Sequence, residues 1–461
     1  MEFIKSTINI VMLLSLIYTF FFISLWIMSL FVSSIRLSEH TNRRRLVKMV
    51  IPNELAKKYP VRVIIPAYNE SNCINDTIGA LLNEDYPALN ILVVNDGSTD
   101  NTTNAVVKKW KLKKKDINYN KQLVTKDVKS CYKREINGKT VMLINKENGG
   151  KADSLNCGLN FCDTPYCVVV DADTQVEKGS IRAMVATFLK DDKTVVCAGV
   201  VDSSMYGTAK YKGIPFMSKA LVLFQQLEYY RTFYMQRILF DRLNANVVVS
   251  GAFAMFDTDL IKAIGGYRVG TIGEDMELTM RIHAFCTSQG RKYRIAYDPE
   301  IKCKTQMPFR YSDFFQQRRR WHIGMIQSLR AHNYMIGNHR YGWAGIISGT
   351  YILLYELFAP FIELIGGLNI LLSLIWGNVS PTFTLSIIAV YAWFAFFTQL
   401  NLVLMLKVYN VEKLTIKEMI WLTAVSFVEP IIFHPLNIFI KLQATVQSNK
   451  RGSTWKHIER A

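Results

Sequence analysis

Residues 8–33, INIVMLLSLIYTFFFISLWIMSLFVS, contain no charged side chain. A helix of that length crosses the ~30 Å hydrocarbon core of a bilayer. A secretory leader has a shorter apolar region and a small-residue cleavage site. Arg36, Arg43, Arg44, Arg45 and Lys48 follow the run. Cationic flanks stay on the cytoplasmic side, so an anchor helix with its C-terminal end in the cytoplasm is expected. Further apolar segments lie at 343–376, 382–406 and 419–440, and none of such length falls between about 50 and 340. The expected layout is an N-terminal anchor (1–35), a basic juxtamembrane linker (36–59), a cytosolic domain (60–325), an interfacial segment (326–342), a membrane bundle (343–440) and a basic cytosolic tail (441–461). Such a chain is expected to be a multi-pass protein of the plasma membrane with its soluble domain in the cytoplasm.

Half of the 461 residues are hydrophobic, and the formal charge is +18. Much of that charge flanks the apolar runs, where anionic lipid attracts it. A lipid bilayer is therefore the expected partner, and nucleic acid is not. The lysine-rich KKWKLKKK at 108–115 reads as a solvated loop in preference to a lipid-touching one. The eight cysteines form no CxxC pair. That opposes a zinc site and fits reduced cytosolic thiols.

The soluble stretch alternates strand and helix signals. VRVIIPAYNE (61–70), NILVVNDGSTD (90–100), TVMLINKENGG (140–150) and YCVVVDADT (166–174) are apolar, β-branched runs that end in turn formers. Residues 71–84, capped by Ser71 or Asn72, and 151–162 have the pattern of helices. The alternation predicts an α/β fold with a mostly parallel sheet covered on both faces. Ligands of such sheets sit beyond the carboxyl ends of the strands. Those ends carry Tyr68, Glu70, Asp96, Lys151, Asp171 and Asp173. Asp171 and Asp173 are two apart, so on an extended segment they point the same way. Paired carboxylates there suit Mg²⁺ or Mn²⁺ completed by substrate phosphates. Taken alone, the pair describes solvated turn aspartates equally well. Farther on, Glu274 and Asp275 in GTIGEDMELTMRIH open an amphipathic helix. They read as helix N-terminal acids favoured by the macrodipole, or as a general base.

In order, VIIPAYNE, VVNDGSTD, NGGKADSLNCGL, DADT, SGAF, GED and QRRRW resemble the motifs of processive inverting glycosyltransferases of family two. That family includes synthases of cellulose, hyaluronan, chitin and poly-N-acetylglucosamine, and the single-chain plan is most similar to the last group. The resemblance implies a nucleotide-sugar-binding GT-A-like domain between flanking transmembrane helices. It implies that Tyr68, Glu70 and Asp96 hold the uridine nucleotide, that Asp173 binds the divalent metal, and that Asp171 and Lys151 lie by the donor. Ser250 and Gly251 would shape the acceptor pocket, with Glu274 beside Asp275, the general base. Gln317, Arg320 and Trp321 would complete the acceptor and diphosphate site, with Arg318 assisting. Many relatives have TED where this chain has GED, and the acids are retained.

The implied reaction is a single displacement. Asp275 takes the acceptor hydroxyl's proton, and UDP leaves from a UDP-sugar, first choice UDP-N-acetylglucosamine. The β-linked chain passes through the membrane as an extracellular, biofilm-type polysaccharide. UDP-glucose or hyaluronan-type polymerisation, or addition of one sugar to a lipid carrier, are the alternatives. A non-catalytic subunit would not need the intact acids. The growing polysaccharide is the acceptor, and accessory membrane subunits are the expected regulators. In the apolar C-terminal part, Pro360 is expected to break the 343–376 segment, or the last segment to be re-entrant, so that the tail stays cytosolic. Glu429 and His434 would line a channel or pair within the bundle.

Arginine's planar fork suits a diphosphate, and an indole suits the apolar face of a sugar. Arg320→Lys is thus expected to weaken donor use, and Trp321→Ala to leave donor hydrolysis with short product. A basic membrane anchor predicts Arg320→Lys to be nearly silent. Donor affinity and product length, measured on correctly inserted protein, decide between them.

Overall fold

The computed structural model describes residues 20–36, 51–202, 215–375 and 416–448, with isolated positions between them. Arg43, Arg44, Arg45, Lys48, most of 382–406 and residues 449–461 of the basic tail lie outside the described residues; 441–447, expected in the tail, continue the preceding helix.

Ten strands among the described residues form one sheet: β1 (Val61–Ala67), β2 (Leu89–Asn95), β3 (Lys113–Lys114), β4 (Val128–Ile136), β5 (Lys139–Lys146), β6 (Tyr166–Val170), β7 (Gln175–Val176), β8 (Thr194–Asp202), β9 (Phe253–Asp257) and β10 (Arg294–Lys304). Their spatial order is β3-β4-β5-β2-β1-β6-β9-β8-β10-β7. The expected strands at 61, 90, 140 and 166 are the central four, and they are parallel to one another. Their apolar side chains are buried on both faces, which is why these strands read as unbroken apolar runs.

The sheet as a whole is mixed, not mostly parallel. β3–β4, β4–β5, β6–β9, β8–β9 and β7–β10 are antiparallel. Two local causes account for this. Asn137 and Gly138 both have positive φ, 51° and 75°, which forms the two-residue turn whose twist suits a hairpin. On the other side, the chain leaves β8, forms the Phe216–Arg231 helix and re-enters beside Val170, opposite Phe253. β9 therefore runs back from the carboxyl edge, and its preceding residues, Ser250 and Gly251, are delivered to that edge.

The expected helices appear as Ile74–Leu82 and Lys151–Asn160. Neither Ser71 nor Asn72 caps the first. Cys73 is its N-cap, without a side-chain cap bond, and the Ser71 amide donates to Asp100 Oδ2 at 3.2 Å.

Two 25-residue helices, Ala344–Leu368 and Thr423–Gln447, are long and apolar enough to cross a membrane, while Phe20–Arg36 is shorter. Leu364, Ile365, Ile431 and Phe439 on these helices are exposed. Pro360 does not break the first helix. Within it a π-helical stretch, Ile352–Phe358, ends just before Ala359 and Pro360, where a proline ring would otherwise meet the carbonyl four residues back. The Ile416–Gln447 helix likewise runs continuously through Pro430 and Pro435. Three of its ionisable residues are paired: Glu429 with Arg231 at 2.6 Å, His434 with Glu363 at 2.7 Å and Lys441 with Glu356 at 2.7 Å.

Candidate functional site

The carboxyl edge of the central strands opens into a cleft of about 770 Å³. Register alone makes the edge continuous, because Ala67 pairs with Asn95 and Asn95 with Asn145. Tyr68, Glu70, Asp96, Lys151, Asp171 and Asp173 line one part of this cleft, Ser250, Gly251, Glu274 and Asp275 another, and Gln317, Arg318, Arg320 and Trp321 a third.

Asp96 follows β2 and is buried. Its Oδ1 accepts from Lys146 Nζ at 2.6 Å and from the Gly149 amide at 3.0 Å, while Oδ2 accepts from the Gly150 amide at 2.7 Å. Lys146 also meets Asp153 at 2.6 Å. Burial by itself lowers the pKa of this lysine, and its bonds to Asp153 and Asp96 outweigh that and raise it. Glycine is required at 149, where a Cβ would stand 2.6 Å from Asp153 Cγ. Asp96 thus clamps the NGG loop while facing the cleft. Glu70 is buried too, with its amide donating to Thr102 Oγ1 at 3.0 Å and its Oε2 accepting from Cys73 Sγ at 2.9 Å.

Lys151 begins the helix after that loop. Its Nζ reaches Asp171 Oδ1 at 2.8 Å and Glu274 Oε1 at 3.2 Å. Burial pushes the Lys151 pKa down, but the two carboxylates hold it above the ordinary lysine value. Glu274 is pushed up by burial against the opposing pull of Lys151. Asp171 and Asp173 do not lie on an extended segment, because β6 ends at Val170 and the Thr174 amide turns back to the Asp171 carbonyl at 3.0 Å. The two carboxylates have separate surroundings: Asp171 faces Lys151, and Asp173 accepts from Thr305 Oγ1 at 3.3 Å. No group of three His, Cys, Asp or Glu side chains that could hold a metal occurs among the described residues. One or two carboxylates with the remaining positions left to phosphates still match a substrate-completed Mg²⁺ or Mn²⁺ site.

Asp275 lies in the first turn of the Glu274–Ser288 helix. Its Oδ2 accepts from the Gly251 amide at 3.1 Å and its Oδ1 from the Met276 amide at 2.8 Å. Glu274 and Asp275, adjacent in sequence, therefore turn to different partners. Glu274 faces Lys151, and Asp275 faces the 250–251 turn.

The third wall is the Tyr311–Ala331 helix. Arg318 donates to Glu228 Oε1 at 2.5 Å, and its guanidinium lies 4.8 Å from the Trp321 ring centroid and 5.0 Å from that of Phe314. This arginine braces the indole. Trp321 is 42% exposed and lines the cleft. Arg320 also lines the cleft. His322, on the same helix, bonds Thr445 Oγ1 at 2.8 Å, and burial and Lys441 lower its pKa to about 3.

Several residues that build the site were missed in the sequence. Lys146 had a signal, a cation closing an apolar strand. Glu228 and Asn246 had none. Gly273 and Gly324 are the most consequential. A Cβ on Gly324 would stand 2.6 Å from the Gly273 nitrogen, and one on Gly273 would stand 2.9 Å from the Gly324 carbonyl carbon. The glycine of GED is thus the counterpart of the glycine in QRRRWHIG, and the two motifs touch backbone to backbone. An exposed helical Gly→Ala change ordinarily stabilises by about 0.5–1 kcal/mol. Here Gly324→Ala is expected to destabilise by about 1–3 kcal/mol, because the overlap is with main chain that cannot give way. A thermal midpoint at or above wild type removes the crossing from the account.

Residues 59–324 match the sequence profile of the family described as glycosyltransferase like family 2. A poly-β-1,6-N-acetyl-D-glucosamine synthase of Staphylococcus epidermidis is 26% identical over 283 residues, covering 61% of this chain and 58% of that protein. A synthase of the same name from Staphylococcus aureus is 25% identical over 264 residues, covering 57% and 54%. The chain therefore spans little more than half the length of these relatives. A solved mannosyltransferase from Pyrobaculum calidifontis, in complex with GDP-mannose and Mn²⁺, aligns with TM-score 0.50 and 16% identity over 92% of this chain and 97% of that one, a likeness of fold. With more than half of its 461 residues inside the profile, the protein belongs to glycosyltransferase like family 2.

Proposed function

We propose that this chain is a membrane-embedded, inverting, processive glycosyltransferase that extends a polysaccharide from a UDP-sugar, with UDP-N-acetylglucosamine as the first donor to test. The observation that carries the reading is Asp275, a carboxylate fixed by two backbone amides at 3.1 and 2.8 Å inside a cleft whose other walls carry acids, a half-buried lysine, arginine and tryptophan. The 26% identity to a poly-N-acetylglucosamine synthase supports the choice of donor. The two long apolar helices support the membrane placement.

On this reading Asp275 accepts the proton of the acceptor hydroxyl as that oxygen attacks the anomeric carbon. The Gly251 and Met276 amides fix its direction and leave lone pairs for the incoming hydroxyl. Tyr68, Glu70 and Asp96 form the nucleotide pocket, and Asp96 also keeps the NGG loop in place. Asp173, with Asp171 beside it, would hold Mg²⁺ or Mn²⁺, which when bound neutralises diphosphate charge. Lys151 balances Asp171 and Glu274, so the donor side does not confront an uncompensated pair of acids. Arg320 meets the diphosphate and Trp321 stacks on the sugar, while Arg318 positions Trp321 from behind.

UDP release by membranes, measured with UDP-N-acetylglucosamine, UDP-glucose and other UDP-sugars, tests the reading. Release from none of them refutes it. Asp275→Asn is expected to bind UDP-sugar with little change and to lower transfer by ~10²–10⁴-fold; transfer near the wild-type rate removes Asp275 as the base. EDTA in excess is expected to abolish transfer, with Mg²⁺ or Mn²⁺ restoring it. Full activity in EDTA takes Asp173 out of any metal role.

A further inference from the structure

The cleft wall ahead of Gly251 carries a buried polar side chain for which the reading above has no task. Asn246 is 3% exposed and lines the cleft. Its main chain is fixed, since His283 Nε2 meets the Asn246 carbonyl oxygen at 2.9 Å. Neither Nδ2 nor Oδ1 of its side chain has a hydrogen-bond partner among the described residues. Buried carboxamides are nearly always paired, and an unpaired one destabilises the fold. An unpaired carboxamide on a cleft wall therefore points to partners that arrive with a ligand.

The position indicates which ligand. Val247, the next residue, packs in one cluster with Met276, the neighbour of Asp275. The same short segment continues to Gly251, whose amide holds Asp275. Asn246 thus belongs to the acceptor side of the cleft. Ser154 Oγ, Glu228 Oε2, Gln317 Oε1 and two nitrogens of Arg318, on residues that also line the cleft, are likewise buried and unpaired among the described residues, but only at Asn246 are both polar atoms of a carboxamide left open.

We propose that Asn246 binds the acceptor sugar through a vicinal pair of ring hydroxyls, an assignment that rests on the glycosyltransferase reading. A carboxamide presents an acceptor oxygen and a donor nitrogen side by side. Two adjacent ring hydroxyls match it: one O–H donates to Oδ1, and the neighbouring oxygen accepts from Nδ2. An acetamido substituent matches it less well. Its trans amide points N–H and C=O in opposite directions, so only one of the two asparagine atoms is satisfied. Seated this way, the acceptor is held by two ring oxygens that do not react, while a third is free to face Asp275.

The test uses the full chain in membranes, a soluble N-acetylglucosamine pentasaccharide as acceptor, and analogues lacking one hydroxyl of the terminal ring. Asn246→Leu is nearly isosteric and removes the unpaired polar atoms. It is expected to keep or raise the thermal midpoint, to leave UDP affinity unchanged, and to raise the acceptor KM by at least ~10-fold. Wild type is expected to lose ~10–100-fold in kcat/KM on the analogue missing a paired hydroxyl, and Asn246→Leu to lose nothing further on that analogue. An unchanged acceptor KM, or the same deoxy penalty in wild type and variant for every analogue, overturns the proposal. So does a lowered thermal midpoint with unchanged acceptor KM, which assigns Asn246 a purely structural role. Asn246→Ser, smaller and retaining one hydroxyl, is expected to show the KM effect in reduced form and serves if the leucine variant does not fold. If wild-type membranes release no UDP from any donor, the underlying reading fails. Normal release with no Asn246 effect refutes this assignment alone.

Discussion

Lys151 joins three separate parts of the chain at the cleft. It starts the helix behind the NGG loop, and its ammonium spans Asp171 at the end of β6 and Glu274 at the start of another helix, at 2.8 and 3.2 Å. Without it, two acids would face each other across a poorly solvated cleft, and burial of either would be costly. With it, the sheet edge and the Glu274–Ser288 helix are drawn to a fixed separation. Asp275 inherits its place from that contact, since it follows Glu274 directly. A second lysine, this one fully buried, does similar work one step behind the cleft. Lys146 binds Asp96 and Asp153, and so holds the loop from which Lys151 emerges. The polar floor of the site is therefore two linked ion clusters.

The other constraint is steric. Gly273 and Gly324 approach so closely that neither position has space for a methyl group. The Ile272 amide adds a bond to Gln327 Oε1 at 3.0 Å across the same junction. Electrostatics set the distance from Lys151 to the GED turn, and backbone contact sets the distance from that turn to the arginine-rich helix. Asp275 sits between them, which gives it two independent supports and little freedom to drift.

Much of this was legible in the sequence, and the limits have physical causes. The four central strands were readable because burial on both faces leaves no polar alternation to obscure them. The mixed character of the sheet was missed, although Asn137-Gly138 is a strong local hairpin signal; the run before it, VKSCYKREI, is half polar and carries no apolar stretch that reads as a buried strand. The return of β9 depends on where a long excursion re-enters, which no local pattern encodes. The residues on the cleft were found as motifs, and their pairings were not. An extended DAD segment would have aligned Asp171 with Asp173, but the chain turns as soon as β6 ends. Arg318 and Arg320 look alike on paper, and both line the cleft. Only packing shows that Arg318 is also held by Glu228 against an indole.

The far wall of the cleft bears on the direction of product movement. Glu356 and Lys441, paired at 2.7 Å, line the same cavity as Asp275, and each belongs to one of the two long apolar helices. Asn437 lines it as well. Charged and amide groups on otherwise apolar helices are costly in lipid unless they face one another or a polar cavity. Here they do both. On the proposed reading, a chain extended at Asp275 meets hydrogen-bonding groups on these helices before it meets hydrocarbon. The π-helical stretch Ile352–Phe358 is where Glu356 sits. A wider coil rotates side chains relative to a regular helix, and such turns cluster at functional positions. The same distortion that accommodates Pro360 therefore also sets the facing of Glu356. The apolar helices are in this sense part of the site, since their irregular turn and their ion pair complete the cavity that the sheet edge begins.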